Sequence, residues 1–102
     1  MKRAEVYQQG TLAGMLEQVD DERWRFTYAP DYSGKPVSLT MPVALTAHEF
    51  DRFPPAFEGL LPEGMQLEAM LRRCKLDRSD LFGQLIVVGA DLVGSLTFKE
   101  AA

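Results

Sequence analysis

The stretch that most constrains this chain is Phe57-Glu58-Gly59-Leu60-Leu61-Pro62-Glu63-Gly64-Met65. Core-building alone does not explain it. Phe57, Leu60 and Leu61 form a short apolar run at helical spacing. Pro62 then disfavours helical geometry at Leu61, while its own fixed φ suits the first turn of a new helix. Glu63 falls where the dipole of a starting helix favours an acid. The pattern predicts a sharp corner between two helices, with Glu63, Gly64 and Met65 on its outside.

The flanks fit that corner. Pro54-Pro55 opens a short helix, predicted over Pro55–Leu61, and a second is predicted from about Glu63 to Lys75. The second helix buries a stripe of Leu67, Met70, Leu71 and Cys74. Met65 lies about 200° around the helix from Leu67, off that stripe. A third helix is capped by Asp77 or Ser79. It turns Leu81, Phe82, Leu85 and Ile86 inward and ends on Gly89.

The first half of the chain reads differently. Ala4–Gln8 and Thr11–Val19 read as strands around a Gln9-Gly10 turn. Trp24, Phe26 and Tyr28 alternate strictly with Arg23, Arg25 and Thr27, which gives the clearest strand, one face aromatic and one wet. Ala29–Pro36 is punctuated as a loop. Val37, Leu39, Met41 and Val43 alternate again, so Val37–Met41 is predicted as a fourth strand, with Pro42 at its end. Leu92, Leu96 and Phe98 predict a closing strand over Leu92–Phe98, with Gly94 inside it. The fold class is therefore α+β: a small antiparallel sheet or partly open barrel, a cluster of short helices, and a returning C-terminal strand.

The 102 residues are expected to form one domain, and 46% hydrophobic content supplies a core. Eleven Lys and Arg against fifteen Asp and Glu leave a net charge of −4. That balance argues against direct nucleic-acid binding, which wants a basic face. The single cysteine, Cys74, fits a reducing cytoplasm. The N-terminus has no apolar run of a signal peptide, and no run approaches the ~20 residues of a membrane span.

Few residues invite chemistry. His48, the one histidine, has Glu49 and Asp51 nearby but no second His or Cys at ligand spacing, so a solvated loop is expected there rather than a metal site. Cys74 lies on an apolar stripe and reads as a small core residue. The aromatics of Trp24–Tyr28 resemble a base-stacking platform, but an aromatic strand face is far more often core. Phe57, Leu60 and Leu61 also read as core, and Tyr28 and Tyr32 as half-buried. Arg72, Arg73 and Lys75 form the one basic cluster, at a helix end that favours cations. No catalytic, cofactor-binding or metal-binding constellation is expected.

Several short elements follow one another in a specific order: Tyr28-Ala29-Pro30, then Ser38-Leu39-Thr40-Met41-Pro42, then Phe57-Glu58-Gly59-Leu60-Leu61-Pro62-Glu63-Gly64, then Asp80-Leu81-Phe82, Gly89 and Val93-Gly94-Ser95-Leu96. From about Val6 to Phe98 the chain resembles the N-terminal subdomain of HipA-family toxin kinases. The kinase elements that follow this subdomain have no counterpart: no Gly-rich loop, no nucleotide-pairing Lys and no His-x-Asp loop. Asp80-Leu81-Phe82-Gly83 only echoes a metal-binding Asp-Phe-Gly and sits where a capped helix should start.

A free-standing copy of this subdomain is similar to the HipS family of small antitoxins from three-component HipBST systems. The resemblance implies a partner, a HipT- or HipA-like serine/threonine kinase whose N-lobe the small protein covers. A HipB-like DNA-binding protein would complete a ternary complex. In that family the residue after Leu-Leu-Pro-Glu-Gly points towards the kinase active site and is often a bulky aromatic. Here it is Met65, a departure that leaves open how far the side chain itself obstructs the site. The expected partner-binding residues are Leu60, Pro62, Glu63, Gly64, Met65 and Gln66. The alternative is a structural subunit that bridges kinase and DNA-binding protein without inhibiting.

Overall fold

A computed structural model describes residues 2–89 and 96–101. Its centre is a five-stranded antiparallel sheet in the order β4-β3-β2-β1-β5, open at both edges. The strands are β1 (Arg3–Gln8), β2 (Thr11–Gln18), β3 (Trp24–Tyr28), β4 (Ala47–Phe50) and β5 (Leu96–Glu100), with helices α1 (Pro55–Glu58), α2 (Gly64–Cys74) and α3 (Leu81–Gly89) between the last two strands. Among the described residues no helix is long and apolar enough to cross a membrane.

The β1–β2 hairpin closes through Gln9 and Gly10, both at positive φ (50° and 83°). That backbone twist matches the twist of the strands it joins. The next turn is held by the Asp20 carboxylate, whose Oδ1 accepts from the backbone N–H of Glu22 (3.1 Å) and Arg23 (2.8 Å). The Arg23 side chain donates to Oδ2 at 2.6 Å. These bonds, the Arg23 backbone first, hold the Asp20 carboxyl down to about 2.

The aromatic alternation on β3 is the core's organiser. Trp24, Phe26 and Tyr28 are 7%, 0% and 3% exposed, so Tyr28 is buried rather than half-buried. Trp24 packs edge-on against Phe53 (5.0 Å) and stacks on Phe82 of α3 (5.6 Å). Phe26 meets Phe57 of α1 at 5.9 Å, and Phe57 meets Phe98 of β5 at 5.2 Å. Two sets of rings, both rooted on β3, therefore join the sheet to the helices and to the closing strand, each contact adding roughly 0.5–1.5 kcal/mol beyond its buried area.

The predicted fourth strand at Val37–Met41 does not form. Pro36 and Pro42 bracket it without N–H groups to donate. The chain turns instead: Met41 N–H bonds to Ser38 O at 3.0 Å, and the Ser38 hydroxyl accepts from Thr40 N–H at 3.2 Å. Met41 is buried, while Leu39 points out at 97% exposure, so the alternation is broken. The backbone groups find a side chain in place of a ladder. The Tyr28 hydroxyl donates to Met41 O (2.5 Å) and accepts from Val37 N–H (3.0 Å).

The fourth strand is Ala47–Phe50, with His48 opposite Phe26 and Glu49 opposite Arg25. His48 is thus a strand residue, not part of a solvated loop. Its Nε2 lies 3.0 Å from Pro42 O, and its ring meets Tyr28 edge-on at 6.0 Å. At the C-terminal side β5 covers Leu96–Glu100 and pairs with β1, Val6 opposite Phe98. Leu92 and Gly94, predicted in that strand, lie outside the described residues. Gly89 is the last residue of α3, where a Cβ would come within 2.8 Å of Phe98 Cβ. Its smallness lets the helix end lie against β5.

Candidate functional site

The corner is built by four consecutive backbone rules. Pro54 and Pro55 start α1, which ends at Glu58, three residues short of the predicted Leu61. The chain continues in tighter turns: Leu60 N–H bonds to Phe57 O and Leu61 N–H to Glu58 O, both at 3.1 Å. Pro62 has no N–H to extend that series. Glu63 then takes an extended conformation (φ −129°, ψ 166°) as the N-cap of α2. Pro62 therefore precedes the second helix rather than sitting in its first turn.

Gly64 enters α2 at φ +59°, with open space where a Cβ would be. That left-handed conformation is costly for residues with a side chain. The Glu63 side chain does not cap the helix, so its carboxylate is presented outward rather than tied to backbone N–H groups.

Beneath the corner the packing is firm. Phe57 is fully buried, and Met70 and Leu71 of α2 are 3% and 9% exposed. Leu67 and Cys74 complete the stripe, half-buried. The Arg78 guanidinium bonds to Glu68 of α2, 2.8 Å from Oε2, tying the α2–α3 connection to the helix. Gln84, a residue the sequence reading passed over, is 2% exposed. Its Nε2 donates to the carbonyls of Asp77 (3.1 Å) and Arg78 (3.0 Å). The signal was available only in hindsight: a polar residue on the inward side of an apolar helix, next to Leu85.

Above the corner the surface is open. Met65 is 88% exposed and Leu60 36%, so Leu60 is not the core residue expected of it. Glu63, Gly64 and Gln66 are exposed, and Pro62 is half-buried. The six residues expected to meet a partner thus lie on one turn of chain, five of them open to solvent. A shallow groove beside them is lined by Leu61, Pro62, Leu67 and Leu81, with Glu58, Glu63 and Arg78 as its charged members.

The other candidates resolve into structural roles. The β3 aromatics are core and offer no free ring faces for stacking. Asp80, not Asp77 or Ser79, caps α3: its Oδ1 accepts from Gly83 N–H at 2.9 Å. This is the first turn of a helix, with the geometry of a cap. Among the described residues no three His, Cys, Asp or Glu side chains gather to hold a metal ion.

Comparison with known proteins places this architecture. A family model described as the HipA N-terminal domain matches residues 4–99. An uncharacterized protein of Haemophilus influenzae is 30% identical over 100 residues, covering 98% of this chain and 93% of its own. A solved structure of the N-terminal domain of HipA toxin superposes with a TM-score of 0.79 at 26% identity, covering 100% of this chain and 94% of its own. A chain in the Shewanella oneidensis complex of HipA, HipB and operator DNA superposes with a TM-score of 0.72 at 21% identity. That match covers 94% of this chain and 23% of the other, and it is a likeness of fold.

Proposed function

The chain belongs to the HipA N-terminal domain family, and from that premise we propose that it is an antitoxin which binds a HipA-like serine/threonine kinase and inhibits it. It works without chemistry of its own, as a cytoplasmic binding protein similar to HipS. The Leu60–Gln66 corner docks on the kinase N-lobe, with Met65 leading. Inhibition follows because the docked corner keeps the kinase from closing around ATP and Mg²⁺, a closure that phosphoryl transfer requires.

The observation that carries this reading is Met65. A large apolar side chain 88% exposed, at the tip of a corner fixed by Pro62 and Gly64, is poorly explained by folding. Methionine suits an irregular partner surface, being unbranched and polarizable. The Haemophilus relative, matched over 93% of its length, is a protein of about this domain's size.

The test is phosphorylation by a cognate HipA-family kinase with increasing amounts of this protein. Phosphorylation is expected to fall with dose and vanish near equimolar protein. Met65→Asp, which places a charge at the contact, is expected to weaken inhibition at least tenfold without changing the thermal melt. Full inhibition by Met65→Asp would sink the role assigned to the corner.

A second reading draws on the Shewanella complex, where a chain with this fold is assembled with HipB and DNA. In it the domain bridges a kinase to a HipB-like protein. Co-purification with both partners and no effect on phosphorylation would decide for the bridge.

A further inference from the structure

The outward face of α2 continues beyond the corner, and its charge is not balanced within the chain. Opposite the buried stripe, Met65, Ala69, Arg72 and Arg73 are all exposed. At 100° per residue Met65, Ala69 and Arg72 fall within about 60° of one another, with Arg73 alongside. Met65 and Arg72 are about 10 Å apart along the axis. The helix thus presents an apolar end and a cationic end on one line.

Elsewhere among the described residues every cation but the lone Lys35 has an acid to meet. Lys2, Arg3, Arg23, Arg52 and Arg78 each pair with a carboxylate. Arg25 lies between Glu17 and Glu49 across the sheet, and Lys99 lies opposite Glu5. Among the described residues no carboxylate comes within 4.0 Å of Arg72, Arg73 or Lys75. A helix C-terminus favours cations within its last turn, but it does not require two guanidiniums in line with an exposed methionine. In a chain of net charge −4 this is a local reversal of sign.

We propose that the outward face of α2 is a second docking element, which takes an acidic surface of the kinase about one to two helical turns from the site of Met65. This rests on the kinase-binding reading and adds the chemistry of the surface it meets. Guanidiniums pair with carboxylates through two parallel hydrogen bonds. Opposed surface charge also raises the rate of encounter and makes it fall with salt.

The experiment measures association with the kinase across a salt series for the full chain, for R72E/R73E, and for K35E/K99E as a control with the same change in net charge at other exposed sites. R72E/R73E is expected to slow association at least tenfold at low salt and to flatten its salt dependence, with the control near wild type. R72Q/R73Q, which removes charge without adding acids to a helix C-terminus, is expected to fall between. Wild-type rates for both α2 variants would overturn the proposal, as would equal losses in R72E/R73E and K35E/K99E. No binding by the wild-type protein would overturn the kinase reading itself, whereas normal binding with an insensitive α2 face leaves that reading standing.

Discussion

Gly64 shows how much a single residue decides at the corner. Its φ of +59° costs a residue with a Cβ about 1–2 kcal/mol. Gly64→Ala is therefore expected to lower stability by about that amount in urea unfolding, although nothing lies within 4 Å to clash with a methyl group. The loss would come from backbone conformation alone. Asp20 makes a different residue-scale prediction. Its carboxyl, held near about 2, is below the ordinary 3.8, so the folded state binds this proton more weakly than the unfolded state. Stability from Asp20 is then complete above pH 3.8 and is lost as pH falls through about 2. An NMR titration should find the Asp20 midpoint near about 2, and Asp20→Asn should remove that part of the acid sensitivity.

At the scale of elements, what could be read in the sequence depended on where each rule resides. The corner was legible because proline and glycine carry their backbone constraints with them. The strand at Trp24–Tyr28 was legible because its alternation reports a buried face. The same alternation misled at Val37–Met41, since it says which side chains can be buried but not what accepts the backbone hydrogen bonds. Only the fold brings the Tyr28 hydroxyl to Val37 and Met41. Ala47–Phe50 carries no strand signature and becomes one by pairing with β3. Gln84 was invisible for a related reason: its partners are carbonyls of a preceding loop. Gln84→Ala leaves the Arg78 carbonyl without its donor, while that of Asp77 keeps the Asp80 N–H, and about 1–3 kcal/mol of stability is expected to go with it, measured by thermal or urea unfolding. The exposure of Met65 was legible, because it fell off its helix stripe, but exposure alone does not say what covers it.

For the molecule as a whole, the closing strand joins what the helices leave apart. Phe98 is 4% exposed and meets Phe57, and its backbone runs beside Val6. Phe98→Ala is expected to cost about 3–5 kcal/mol and lower the melting temperature by well over 10 °C for a chain of this size. The loss should spread to α1 and the corner above it, so amide exchange at Leu60 and Leu61 should quicken together with exchange in β5. The topology carries a further consequence in time. β1 ends at residue 8, and its second neighbour, β5, begins at residue 96. During synthesis the two are separated by roughly 5–20 s. Through that interval Ala4 and Val6 sit on an unpaired strand edge, available to any other nascent chain with a free edge of its own. The arrival of β5 therefore determines when that edge stops being at risk from its neighbours.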